Sequence, residues 1–179
     1  MRLVRTRRPI APQQPARGQS LVEFALVLMP LFFILLGIIQ FGFIFNSYVT
    51  ITNATREAAR IGTVYLYDSS LSKAQNDLAR NNAIKTSQLA SMNLLTKTAP
   101  NFTTGTTWTQ SGLTYTNGDL IVTYVLPTGV TDTDARVGYQ VTVQATYHQD
   151  LVIPLVNNIL PKDAGGRIGL SSQVTMVLN

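Results

Sequence analysis

The chain has no cysteine and only one histidine and one tryptophan among its 179 residues. Without thiols it can build neither disulfides nor thiolate metal sites, and nothing in it reports the redox state of its compartment. The first 18 residues contain no acidic side chain, and no charge of either sign occurs between Glu23 and Arg56. From Gln19 onward nine basic residues face nine acidic ones, so the body carries no excess charge. A neutral body lacks the basic folded surface that phosphate backbones require, and no nucleic-acid partner is expected.

What is present is concentrated at one end. Arg2, Arg5, Arg7, Arg8 and Arg17 account for the pI near 9.7, and Pro9, Pro12 and Pro15 are interspersed with them. Such a segment cannot pack a core and reads as a tail held near anionic lipid. Next comes an apolar run from Phe24 to Phe45, 22 residues broken only by Pro30, Gly37, Gln40 and Gly42. As a helix it would rise about 33 Å, enough for a hydrocarbon core of roughly 30 Å. A secretory signal has a shorter apolar region followed by a small-residue cleavage site, which Asn46-Ser47-Tyr48-Val49 does not provide. A buried core helix would need more surrounding protein than the remainder supplies. Five arginines before the run and none directly after it predict a cytoplasmic N-terminus and an extracytoplasmic body.

Glu23 stands at the inner edge of this run. A carboxylate there is costly and suggests a functional role with a partner, although the headgroup region or the helix macrodipole could also accommodate it. Gln40 is the one strongly polar side chain in mid-span, and a hydrogen bond across a helix pair would be worth only about 1 kcal/mol. It is taken as neutral. Gly37 and Gly42 are five apart and do not make a small-xxx-small dimer face.

Gly18, then Glu23, then an apolar helix resembles the processing site of type IV pilin-like precursors. The longer string GQSLVEFALVLMPLFFILLGIIQFGFIFNSYVTITNATREAARIG, with the run Arg56-Glu57-Ala58-Ala59-Arg60, resembles the TadE-like family, pseudopilins of the tight-adherence pilus. The likeness is close over residues 17–62 and weaker over Tyr147 to Leu178. It implies cleavage between Gly18 and Gln19 by a membrane-embedded aspartic prepilin peptidase. Gly18 suits this, since its bond can enter a peptidase groove without a side-chain clash. It also implies that Glu23, beside Phe24, meets the N-terminal amine of a neighbouring subunit. Position 19 is Gln where filament-forming type IV pilins usually carry an aromatic residue, which leaves N-methylation and a major-pilin role open.

The expected fold is α+β: a cytoplasmic leader over residues 1–18, a transmembrane helix over 19–45, and an extracytoplasmic domain over 46–179. Ile51, Ala54, Ala58, Ile61 and Tyr65 continue a helical period to about Tyr67 and form the spine of the domain. Arg56, Glu57 and Arg60 point away and read as a solvated, mutually paired face. Asp68-Ser69-Ser70 offers capping side chains to a second helix from Leu71 to about Ser91. Asn93 to Gly112 reads as a Thr-rich loop. A hairpin follows, with strands at Leu113–Thr116 and Asp119–Leu126 around Asn117-Gly118. Alternation at Val137 to His148 and at Ile168 to Leu178 predicts two further strands, four in all. The apolar stretch from Leu151 to Leu160 could lie under the sheet, on the bilayer or on a neighbour.

No catalytic constellation emerges. His148 falls on the polar side of its strand and reads as a surface residue. Asp132 and Asp134 lack the further ligands of a calcium loop, and no cofactor or small-molecule substrate is evident. The expected partners are the lipid bilayer, prepilin peptidase, other pilin-like subunits and the tight-adherence assembly machinery. The rival readings are an uncleaved, membrane-anchored binding module and an anchored enzyme, which would need a cleft gathering Asp132, Asp134, Asp150 or His148.

Overall fold

The computed structural model describes residues 17–93, 95, 107–153 and 160–179. The basic leader up to residue 16, most of the Thr-rich loop and residues 154–159 of the apolar stretch lie outside them. Helix α1 spans Arg17–Thr63 and contains Pro30; α2 spans Lys73–Ser91. Five strands follow: β1 (Thr109–Ser111), β2 (Thr114–Asn117), β3 (Leu120–Val125), β4 (Gln140–Gln149) and β5 (Ile168–Val177). The chain divides into two units, the helix up to Ile38 and a body of Ile39–Asn179.

In the first unit the apolar side chains are exposed, as expected of a helix whose solvent is lipid: Leu21, Phe24, Leu26, Phe32 and Ile34 are all open. The 18-residue window that is apolar enough to cross a membrane has none of its residues buried within the protein.

In the body, the strands form one antiparallel sheet in sequence order. Period-two alternation puts Leu120, Val122 and Tyr124 of β3, and Val141, Val143, Ala145 and Tyr147 of β4, on the buried face. The register pairs Val122 with Val143 and Val143 with Val174. Against this face lie Ile51, Ala54, Ala58 and Ala59 of α1, all fully buried. Small side chains let the helix approach closely, and Gly62 is the extreme case: a Cβ there would stand 2.9 Å from Ile84 Cδ1.

The structure amends several expectations. Helix α1 stops at Thr63, short of Tyr67, and Asn76 of α2 holds the backbone from Asp68 to Ser72. Its side chain accepts from Asp68 N at 2.9 Å and donates to Asp68 O, Leu71 O and Ser72 O. The N-cap of α2 is Ser72, which forms a capping box with Gln75, whereas Asp68 turns on itself to hold Ser70. Among the described residues the sheet has five strands, since Thr109–Ser111, expected within a loop, pairs with β2. The β2–β3 turn is displaced by one residue: Asn117 pairs with Leu120, leaving Gly118 and Asp119 at the turn. Gly118 alone has positive φ, 58°, as in a type II′ rather than a type I′ turn. Asn117 is held in the strand by its side chain, which donates to Thr107 O at 3.2 Å and accepts from Lys85 Nζ at 3.3 Å. Strand β4 begins at Gln140, and Val137 is exposed.

Candidate functional site

The residues singled out at the start of α1, Gly18, Gln19, Glu23 and Phe24, are all exposed. Gly18 is in the first turn, with no atom within 4 Å of where a Cβ would stand. Directly after it, Gln19 Nε2 donates to Glu23 Oε1 at 3.1 Å, and Phe24 next to Glu23 is exposed. The i, i+4 spacing brings the two side chains together as helical geometry requires. The acid at the edge of the apolar run therefore has a neutral donor within its own chain. Both side chains are exposed.

At the far end of the same helix, Arg60 grips Glu57 with Nε to Oε2 at 3.0 Å and Nη2 to Oε1 at 2.6 Å. The hydrogen bond from Arg60 holds the Glu57 carboxyl below its ordinary range, and Glu57 in turn raises Arg60. Arg56 is exposed on this face. Residues 18–60 match the TadE-like protein family model. The resemblance read from the sequence is borne out over that segment, and the helix, long and apolar enough to span a bilayer, makes the TadE-like segment a membrane anchor. The weaker likeness over Tyr147 to Leu178 lies beyond the match. No curated protein and no solved structure matches the chain.

Two constellations beyond the TadE-like anchor surface escaped the reading of the sequence. The first is a buried charged cluster on α2. The inward face of that helix is mostly polar, Asn76, Asp77, Arg80, Asn81 and Gln88, with Ile84 as its apolar member. Asp77 receives both arms of Arg136, Nε at 2.7 Å and Nη2 at 2.6 Å, and the Tyr115 hydroxyl at 3.0 Å. Burial opposes the charge on Arg136, but its bonds to Asp77 outweigh that effect and raise its pKa. Burial, reinforced by the Asp77 charge, pushes Tyr115 up to about 12. Arg80 Nη1 stands 3.6 Å from Asp77 Oδ1, and its guanidinium lies 5.1 Å and 5.7 Å from the ring centroids of Tyr65 and Tyr124. Ring faces thus stand in for hydrogen bonds that Arg80 Nε and Nη1 do not make among the described residues. Arg136 holds its place at φ 56°, a left-handed conformation costly for a side-chain-bearing residue.

The second is Gln40. Fully buried, it accepts at Oε1 from the backbone N–H groups of Val152 at 3.0 Å and Ile153 at 3.2 Å. Seven residues on, Ser47 donates to the side chain of Gln149. Gln40, Ser47, Ile51, Ala54 and Ala58 form one buried stripe at helical spacing. The polar upper members of that stripe were the available signal, because a glutamine and a serine seven apart in an apolar helix share a face.

His148 corrects the expectation of an ordinary surface residue. It is largely enclosed, with Nδ1 at 2.6 Å from Asp163 Oδ2 and Nε2 at 3.4 Å from Asp119 Oδ2. Asp163 is held below the usual carboxylate range by the Arg167 backbone N–H, and also by His148. At the opposite end of β4, Asp132 bonds Lys73 at 2.7 Å and Tyr139 at 2.6 Å, which lower its pKa. Tyr139 and His148 are nine positions apart along β4 and the residue before it, about 30 Å, so Asp132 and His148 do not share a cleft. An open groove of about 290 Å³ lies between α2 and β1, lined by Leu78, Trp108 and Tyr115 among others. No group of three or more metal-ligating side chains occurs among the described residues.

Proposed function

We propose that this chain is a pilin-like structural or assembly subunit of a tight-adherence pilus, without enzymatic activity. In this reading it sits in the cytoplasmic membrane with its N-terminus inside and its body outside. Prepilin peptidase removes the leader after Gly18, and α1 then packs against other pilin-like subunits and the assembly machinery. The observation that carries the proposal is the TadE-like match over residues 18–60, a stretch that begins at Gly18 and includes the Gln19–Glu23 pair.

The chemistry supports a division of roles. Cleavage would turn Gln19 into the first residue, so the new amine would lie one helical turn from Glu23 in its own chain. A neighbouring subunit's amine could then displace the Gln19 side chain from Glu23, and a charged pair replaces a neutral donor. Exchange of partners of this kind would set the axial register between subunits.

N-terminal mass spectrometry of the native membrane fraction tests the proposal. A mature chain beginning at Gln19 is expected. A chain beginning at Met1 would instead make this an uncleaved, membrane-anchored binding module.

A further inference from the structure

Gln40 lies inside the uncharged apolar run of Phe24 to Phe45, whose 22 residues as a helix rise about 33 Å, close to the roughly 30 Å of a hydrocarbon core. The run ends at Phe45, five positions on and about 8 Å further along a helix, so Gln40 falls within the apolar layer. Yet Gln40 is hydrogen-bonded to non-helical backbone, that of Val152 and Ile153 just after β4. Irregular backbone at membrane depth is tolerated only where protein satisfies its polar groups. Gln40 Oε1 does this for two consecutive N–H groups with one atom.

The side chains agree with that environment. Val152 is 68% exposed and apolar, and Ile153 is buried against the protein. On the other faces of α1 at this level, Phe41 and Phe45 are exposed, and Tyr48, two turns beyond Gln40, has the place of an interfacial aromatic. Val152 is thus an exposed apolar side chain held at the level of Phe41 and Phe45, in a part of α1 that has no charged residue before Arg56.

We propose that the Leu151–Ile153 segment is a lipid-contacting loop that dips into the outer leaflet, clamped to α1 by Gln40, with the acyl chains of the bilayer covering Val152. The proposal rests on the membrane-spanning reading of α1 and is independent of any role in a pilus.

Because the chain has no cysteine, Val152→Cys supplies the only thiol for an environment-sensitive fluorophore. The labelled full chain is reconstituted in phosphatidylethanolamine and phosphatidylglycerol vesicles with doxyl groups on the acyl chains. Phe32→Cys marks the span and Ser111→Cys the aqueous body. The probe at Val152 is expected to be quenched by acyl-chain doxyl as at Phe32, and shielded from iodide. Quenching by iodide, as at Ser111, would overturn the proposal. Protection from both quenchers would overturn it too, because a second protein chain would then cover the site. An unquenched Phe32 probe would remove the spanning helix and the proposal with it. Adding Gln40→Leu to Val152→Cys should abolish acyl-chain quenching and admit iodide; unchanged quenching would refute the clamp.

Discussion

Arg136 and Asp77, 59 residues apart in sequence, meet through two parallel hydrogen bonds in the interior of the body. The side chains are 5% and 2% exposed, so each charge depends on the other for what water no longer supplies. A second cation, Arg80, shares the same anion.

Removing the anion is therefore predicted to be far more damaging than removing the whole cluster. Asp77→Ala strands two guanidinium groups in the interior and should destabilise the body by about 3–5 kcal/mol. Replacing Asp77, Arg80 and Arg136 together with leucine and two methionines, so that no charge of the cluster is left behind, should recover a large part of that loss. Denaturant melts of the detergent-solubilised chain would show it; equal losses in the two variants would rule out an uncompensated charge as the cause.

Gly62→Ala tests how tightly α1 packs on α2. The added methyl meets Ile84 at 2.9 Å, and Ile84 is itself fully buried. A loss of about 1–3 kcal/mol is expected, the range for overpacking. Ile84→Val in the same chain should restore part of the melting temperature by removing the Cδ1 atom concerned.

At the helix start the prediction is functional. Gly18→Ala meets no neighbouring atom in the fold, so insertion and stability should be unaffected while processing stops. Glu23→Ala should leave insertion intact and lower filament output. Both are checked by immunoblot for the size shift and by counting surface filaments, and normal piliation with Glu23→Ala would dismiss its pairing role.

The dependence on pH follows from carboxyls held below their ordinary range. Asp163 is lowered first by the Arg167 N–H, and Asp132 by the bonds from Lys73 and Tyr139. Folded pKa values below the unfolded ones mean that their stabilisation is complete above about pH 4–5 and is lost as pH falls through the folded values. Thermal melts should be flat from neutral pH down to that point and then decline. Asp163→Asn should lessen the decline.

Much of the architecture could be read in advance wherever a local period carried it. Ala54 and Ala58 recur at helical spacing, and Val141, Val143, Ala145 and Tyr147 alternate, so helix and strand declared themselves with their buried faces. Misjudged elements were those whose partners are remote. The first turn of α2 was misplaced because Asn76, eight residues from Asp68, captures the preceding backbone. Strand β1 was missed because three exposed residues have no pattern until β2 pairs with them.

The sequence by itself determined the long apolar helix, the acid near its start, the family likeness over residues 18–60 and the α+β class of the body. Those properties belong to contiguous stretches, where hydropathy and side-chain period act residue by residue. Only the tertiary structure decided that a polar face of α2 would be buried, that Arg136 would complete Asp77, and that Gln40 would hold the loop after β4. Each is an exchange of hydrogen bonds between groups distant along the chain, and its energy exists only once folding has removed both partners from water.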